Sequence, residues 1–153
     1  MEYEYSYKVK ELDEYIDFVS KRYTFVKEQN ETRTIYRNNG IIARITKIDD
    51  EMYLDFKEDK LENKDLIVRK ESKQIKFDSL GNCEDILEFL GYKRDNTLVR
   101  KRRIYEGENI KFEIDSYVEP EKSDVFSFEG LKETCDAVYE ELAELNKKYK
   151  ENN

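Results

Sequence analysis

The sequence predicts an α+β fold in which about eight strands form an antiparallel β-sheet and three helices pack against it. Three observations support this prediction. Many segments alternate polar and apolar residues with a period of two, which is typical of β-strands with two different faces. Most of these segments are neighbours in the chain and are separated by short turns. Eight strands are also enough to close an antiparallel sheet into a barrel.

The N-terminal half contains one predicted helix among strands. The first strand runs from Glu2 to Lys8, where three tyrosines alternate with polar residues. Residues 10–23 have apolar side chains at helical spacing and predict a helix. Further strands are predicted for residues 23–38, 41–49 and 51–57, with turns at Asn38-Asn39-Gly40 and Asp49-Asp50. Residues 66–77 are interpreted as one long strand or a strand pair.

The C-terminal half is also predicted to contain both helices and strands. Residues 82–91 predict a short helix, with Asn82 as the N-cap and Gly91 at its end. Residues 97–106 and 109–117 predict a hairpin, and residues 125–130 predict the last strand. From Leu131 onward, apolar residues recur every three or four positions and predict a closing helix. Packing of this helix on the sheet is favoured over an interface with a partner.

Length and composition predict one domain, residues 1–153, with an unusual number of charges. Charged residues make up 42% of the chain, against about 25% in ordinary domains. The net charge of −8 argues against nucleic acid and anionic membranes as partners, and alternation divides the basic run Arg100–Arg103 between two faces. The N-terminus has no apolar signal-peptide core and no apolar run approaches membrane-spanning length, so the predicted location is cytoplasmic.

Residue types further restrict the chemistry. Histidine is absent, which excludes zinc sites built on histidine and catalysis by Ser-His-Asp or Cys-His groups. Cys83 and Cys135 lie far apart in predicted helices and are interpreted as reduced structural thiols. A metal in this chain would therefore be a hard cation held by carboxylates.

The charged residues of the strands lie mostly on one face. In nearly every predicted strand, one parity is apolar and the other carries both acids and bases; Lys111, Glu113 and Asp115 alternate with Phe112 and Ile114. The pattern alone favours an ordinary sheet whose solvated face carries salt bridges. The alternative is a closed barrel with outward-facing aromatics and a charged, water-filled tunnel. Carboxylates in such a tunnel would hold divalent cations, while Arg and Lys would bind phosphate oxygens.

Seven short charged motifs follow one another along the chain. They are Glu2-Tyr3-Glu4, Arg44 after Gly40, Lys57 in LDFK, Arg69-Lys70-Glu71, Lys101-Arg102-Arg103, Asp115 in FEIDSY and Glu129 in SFEG. Their order and parity, over residues 2 to about 145, resemble the CYTH superfamily of triphosphate tunnel metalloenzymes. This superfamily includes inorganic and thiamine triphosphatases and class IV adenylate cyclases. The resemblance implies a closed eight-stranded antiparallel barrel with a polar interior and helices outside, and we prefer it to the open sheet.

The resemblance also implies a function and a site. It implies hydrolysis of a small-molecule triphosphate (inorganic tripolyphosphate, thiamine triphosphate or a nucleoside triphosphate) with Mg²⁺ or Mn²⁺, by a monomer or homodimer. The implied catalytic residues are Glu2, Glu4 and Lys8. The implied substrate-binding residues are Arg44, Lys57, Arg69, Lys101 and Arg103. The implied metal ligands are Glu2, Glu4, Glu71, Glu113, Asp115 and Glu129.

Three positions depart from the superfamily pattern. Ser6 replaces a lysine, Thr46 replaces an arginine, and Ser127 replaces a glutamate. Lys8 lies on the same face one step beyond Ser6 and is the candidate to replace the lysine. Two alternatives therefore stay open: a class IV adenylate cyclase that makes cyclic AMP from ATP, and a tunnel protein that binds nucleotides or polyphosphate but is catalytically impaired.

Overall fold

The computed structural model describes residues 2–151, which form nine strands and four helices. The strands are β1 (Glu2–Val9), β2 (Thr24–Asn38), β3 (Ile41–Ile48), β4 (Glu51–Leu61), β5 (Leu66–Glu71), β6 (Ile75–Phe77), β7 (Lys93–Gly107), β8 (Ile110–Glu119) and β9 (Ser123–Gly130). The helices are α1 (Leu12–Ser20), α2 (Leu80–Phe89), α3 (Lys132–Glu141) and α4 (Ala143–Tyr149). None of these helices is long and apolar enough to cross a membrane.

Eight of the strands close into an antiparallel barrel. Their order is β3-β2-β7-β8-β9-β1-β5-β4, and β4 pairs again with β3 to complete the circle. The short strand β6 pairs with β4 at Met52–Leu54, outside this circle. Residues 66–77 thus form two strands, as one of the two alternatives predicted, but β5 and β6 each pair with β4 and not with each other. The predicted fold class, an eight-stranded closed barrel with helices outside, is confirmed.

The apolar parity of the strands faces outward under the helices. Phe112, Phe126 and Phe128 of β8 and β9 are fully buried beneath α1 and α3. Tyr5 of β1 stacks on Tyr139 of α3, with ring centroids 4.3 Å apart. Burying each such side chain contributes about 1.5–3 kcal/mol. The main apolar core of this barrel therefore lies between its wall and its helices.

The helices differ from prediction in two details. Helix α2 begins at Leu80 rather than near Asn82, because Ser79 is its N-cap and its hydroxyl accepts the backbone N–H of Asn82. The predicted closing helix is divided at Leu142 into α3 and α4.

Both cysteines are buried and free, in agreement with their interpretation as structural thiols.

Candidate functional site

The barrel encloses a charged cavity of about 570 Å³. All eight barrel strands contribute side chains to it, and acids and bases are present in nearly equal numbers. Inward-facing residues are those of the charged parity, such as Asp55 and Lys57 on β4 or Glu113 and Asp115 on β8. The cavity can therefore hold a ligand that needs both carboxylates and cationic groups.

Four interior arginines each face a carboxylate directly across a neighbouring strand. The pairs are Arg44–Asp55, Arg69–Asp59, Arg100–Glu31 and Arg102–Asp115. The Nε of Arg102 lies 2.8 Å from Asp115 Oδ1, and its Nη1 lies 2.6 Å from Glu113 Oε2. Buried charges cost free energy unless they are paired and hydrogen-bonded. The strand register places each of these arginines opposite a carboxylate and so reduces the cost of burying both charges.

These arginines lower the pKa of the carboxyls beside them. Burial tends to raise the pKa of Glu31, but the charges of Arg102 and Arg100 outweigh it and hold the pKa at about 2. Burial likewise opposes ionisation of Glu113, and Arg102 and Lys111 reverse this effect, so that its pKa is also about 2. Both groups are therefore ionised at neutral pH.

Three carboxylates on adjacent strands form a cluster, in which Glu113 also binds Arg102 and Glu4 also binds Arg69. Glu4 on β1, Glu113 on β8 and Glu129 on β9 each offer an oxygen, and these oxygens lie within 4.8 Å of one another. Burial, followed by the charges of Glu113 and Glu4, raises the pKa of Glu129 to about 8. Burial also raises the pKa of Glu4.

This carboxylate cluster fits a divalent cation. Oxygen ligands from carboxylates are those that Mg²⁺, Mn²⁺ and Ca²⁺ prefer. Burial and the neighbouring carboxylates disfavour ionisation of Glu129, and a cation at the cluster would offset both effects. Glu4, Glu113 and Glu129 are therefore the residues that could hold the metal.

Gly130 fixes the end of β9 next to this cluster. Its φ is +150°, and a Cβ at this position would lie 2.0 Å from the backbone oxygen of Asn109 in the β7–β8 turn. Only glycine permits so close an approach. The backbone beside Glu129 is consequently held against the turn at the mouth of the barrel.

Most of the predicted site residues face the cavity. Besides the carboxylate cluster, the lining includes Arg44, Lys57, Arg69, Glu71 and Asp115. Glu71 lies 3.1 Å from an Arg44 nitrogen, and Asp115 is held by Arg102. Neither of these two carboxylates belongs to the cluster, whose oxygens come from Glu4, Glu113 and Glu129.

Two predicted residues lie at or beyond the edge of the site. Glu2 lies at the mouth of the barrel, where it borders an opening together with Lys111 and Glu129. Lys8 does not line the cavity and instead lies 3.6 Å from Glu121. The inner wall beside Ser6 is completed by Ser127, its cross-strand partner, whose hydroxyl is hydrogen-bonded to that of Ser6 at 2.8 Å.

The predicted face of β7 is wrong. Lys101 and Arg103 lie on the outer side of the barrel, near Glu28 at 3.8 and 3.5 Å, while Arg100 and Arg102 line the cavity. Four consecutive basic residues carry no alternation that could distinguish the faces. The outer parity is set by Tyr105, which belongs to the apolar core.

Sequence reasoning also missed the interior side of β2, which carries Glu31 and Arg33. An acid and a base on one parity were a weak signal, since the opposite parity of this strand carries Thr32 and Thr34 and is polar too. Arg33 pairs directly opposite Thr46, and its Nε donates to the threonine hydroxyl at 2.9 Å. A guanidinium thus reaches the position at which the superfamily pattern expects an arginine.

The sequence matches no protein-family model and no curated protein. Solved structures do match. A putative adenylyl cyclase from Hippeastrum, whose structure is described as revealing a dominant triphosphatase activity, has a TM-score of 0.74 at 15% identity, covering 100% of this chain and 91% of that one. A putative adenylate cyclase from Vibrio parahaemolyticus has a TM-score of 0.63 at 17% identity, covering 99% and 93%.

This chain shares the fold of these putative cyclases. The same barrel also occurs in the Schizosaccharomyces pombe Mediator head module, with a TM-score of 0.65 at 9% identity and 98% coverage of both chains. At these identities the likeness concerns the fold. A shared fold does not determine activity; the function of this barrel depends on its own side chains.

Proposed function

We propose that this chain is a divalent-metal-dependent triphosphatase. The observation that supports this most strongly is the arrangement within one closed cavity of the carboxylate cluster, Glu4, Glu113 and Glu129, together with guanidinium groups on the surrounding strands. Cations suit the first set of groups and phosphate oxygens suit the second. A metal-chelated polyphosphate needs both.

The basic residues would bind and orient the phosphates. Arg44, Arg69 and Arg102 each have five N–H donors, and their pairing with carboxylates uses only some of them. The remaining donors can reach phosphate oxygens while the ion pairs hold each guanidinium in place. Such fixed donors stabilise charge on a transferring phosphoryl group without reorganisation in the transition state.

The acidic residues would hold the cation and assist the attacking water. A bound divalent ion neutralises negative charge on the phosphate oxygens. Glu129, whose pKa is raised to about 8, can exchange a proton near neutral pH when it is not bound to the cation. Lys8 has no role in this proposal, because it lies away from the cavity.

The proposal is tested by phosphate release from tripolyphosphate, thiamine triphosphate and ATP, each with Mg²⁺ and with Mn²⁺. We expect turnover of at least one substrate, abolished by a chelator and reduced about 100-fold or more by Glu129→Gln, because that variant removes a cation ligand. Absence of phosphate release from every substrate with both metals would refute hydrolysis. Product analysis with ATP distinguishes ADP and phosphate from the cyclic AMP and pyrophosphate of a cyclase.

A second candidate is a tunnel that binds triphosphates without hydrolysing them. The supporting observation is that Ser6 and Ser127, two residues along β1 and β9 from Glu4 and Glu129, present neutral hydroxyls where the superfamily pattern expects charged side chains. Tight calorimetric binding of a triphosphate, with no turnover in any metal, would favour this candidate.

A further inference from the structure

Helix α2 exposes large apolar side chains on the outside of the barrel. Its two buried residues, Cys83 and Leu87, pack against the apolar parity of the barrel wall. Three others near its C-terminal end, Ile86, Phe89 and Leu90, are 59, 89 and 53% exposed. Residues three and four apart on a helix are neighbours, so these three form one surface, the apolar patch. Its packing on the barrel does not require them.

Exposed charges of both signs border the apolar patch. Asp85 and Glu88 lie on the helix itself, and Asp85 precedes Phe89 by about one turn. Lys93 and Arg94 begin β7, directly after the turn that ends the helix. The patch therefore has an acidic side and a basic side.

A hydrogen bond holds the end of α2 beside these bases. Asn38 Nδ2, at the end of β2, donates to the backbone oxygen of Leu90 at 3.1 Å. The preceding residue, Arg37, lies directly opposite Lys93 on β7. Arg37 is paired with Asp95, whereas no ion pair among residues 2–151 includes Lys93. The basic side of the patch is thus fixed in position and keeps free charge.

The acids of α2 lack compensation by a cation. The helix contains Glu84, Asp85 and Glu88 but no Lys or Arg, and its last turn has no basic residue. The C-terminal end of a helix carries partial negative charge, which a nearby cation stabilises and an acid does not. In the described part of the chain, neither Asp85 nor Glu88 forms an ion pair with a base. A base supplied from outside would stabilise this end of the helix.

These charges favour a second copy of the chain as the occupant. Helices that bind membranes have Lys and Arg on their polar face, and α2 has neither. A partner of one charge sign would be repelled by either the acids or the bases of the patch. Two copies related by a two-fold axis present the same surface to each other, so the acidic side of each can meet the basic side of the other.

The area of the patch is consistent with a charged rim. A stable interface buries about 800 Å² on each partner, and even an aromatic side chain contributes only about 150–250 Å². The three apolar residues therefore cannot form such an interface alone. An apolar centre surrounded by polar residues is the usual arrangement of protein interfaces, and the charges beside the patch supply this rim.

We propose that α2 is a homodimer interface, in which the apolar patches of two copies pack about a two-fold axis near Phe89. Asp85 and Glu88 of each copy face Lys93 and Arg94 of the other. The inference does not depend on the proposed function, because no residue of α2 lines the cavity.

The first test is analytical ultracentrifugation over a range of protein concentrations. The wild type should sediment as a dimer. Phe89→Ser should weaken the dimer about 30-fold or more, because an aromatic residue at the centre of an interface carries much of its binding energy. Leu61→Ser is the matched control, since Leu61 is a 65% exposed apolar residue at the end of β4 and outside the patch; it should dimerise as the wild type does.

The second test exchanges the charges. One variant, Asp85→Lys/Glu88→Lys, reverses the acidic side, and the other, Lys93→Glu/Arg94→Glu, reverses the basic side. Each alone should be monomeric, because like charges then face each other across the axis. An equimolar mixture of the two should form heterodimers, because opposite charges meet again at both sides of the interface. Association through apolar contacts without this arrangement would not be restored by mixing.

Circular dichroism shows whether each variant is folded. A wild type that stays monomeric at all concentrations, or Phe89→Ser that dimerises as the wild type does, would overturn the proposal. A mixture of charge-reversed variants that stays monomeric would overturn the two-fold arrangement. Binding of phosphatidylcholine vesicles by a monomeric wild type, lost in Phe89→Ser, would assign the patch to a membrane instead. If Phe89→Ser does not fold, the charge-reversed variants decide, since they change exposed residues only.

Discussion

Each interior charge depends on the residue opposite it. Arg102 is the clearest example, since it holds both Asp115 and Glu113 by direct hydrogen bonds. Removing one member of a buried pair leaves an uncompensated charge and costs far more than the pair contributes to stability. The interior is therefore sensitive to single substitutions even though its charges nearly balance.

Arg102→Met should lower the free energy of unfolding by about 3–5 kcal/mol, because two buried carboxylates lose their partner. Arg103→Met, at the next residue, should cost only about 0–1 kcal/mol, since Arg103 pairs with a partly exposed Glu28 on the outer face. Urea denaturation of the two variants checks this. Equal losses would contradict the assigned faces of β7.

The elements differ in how far their sequence predicts them. In β1, β8 and β9, polar and apolar residues alternate around Glu4, Glu113 and Glu129, so the inner face could be predicted there. These three glutamates are among the six metal ligands that the family resemblance implied. In β7, basic residues occupy both parities, and in β2 both parities are polar. The interior arginines of these strands were missed because the residues of the two faces are too similar in polarity for a period-two pattern to show which face is buried.

Ion pairs across strands could not be predicted for a related reason. Arg69 meets Asp59, and Arg100 meets Glu31, only because of the register of strands distant in sequence. Register depends on turns, bulges and the whole set of pairings, and β2 and β7 contain two irregularities in their register. The register of two distant strands therefore cannot be predicted from the short stretch of sequence that forms each strand.

Helix α2 offers a test at the level of one element. Ser79→Ala should lower the free energy of unfolding by about 0.5–2 kcal/mol, because the helix loses its N-cap hydrogen bond. Asn82→Ala is the control, since Asn82 supplies only its backbone N–H to this cap. Thermal or urea unfolding measures both. A larger loss of stability in Asn82→Ala than in Ser79→Ala would show that Asn82 is the N-cap, as the sequence predicted.

At the scale of the whole molecule, the buried carboxylates fall into two groups with opposite pH dependence. Glu31 and Glu113 have folded pKa values of about 2, below the ordinary value of 4.5, so their stabilisation is present above about pH 4.5 and is lost as the pH falls towards 2. Glu129 has a folded pKa of about 8, so its ionisation destabilises the metal-free fold as the pH rises from about 4.5 to about 8.

A divalent cation should reverse the second effect. It binds the ionised cluster and not the unfolded chain, so Mg²⁺ or Mn²⁺ should raise the melting temperature more at about pH 8 than at about pH 5.5. The metal-free protein should lose stability over the same interval. In Glu129→Gln the metal-free decline should be smaller and the stabilisation by metal should largely disappear, while Glu108→Gln, in the exposed β7–β8 turn, should behave as the wild type. Stabilisation by metal that is equal at both pH values would show that the cation binds elsewhere.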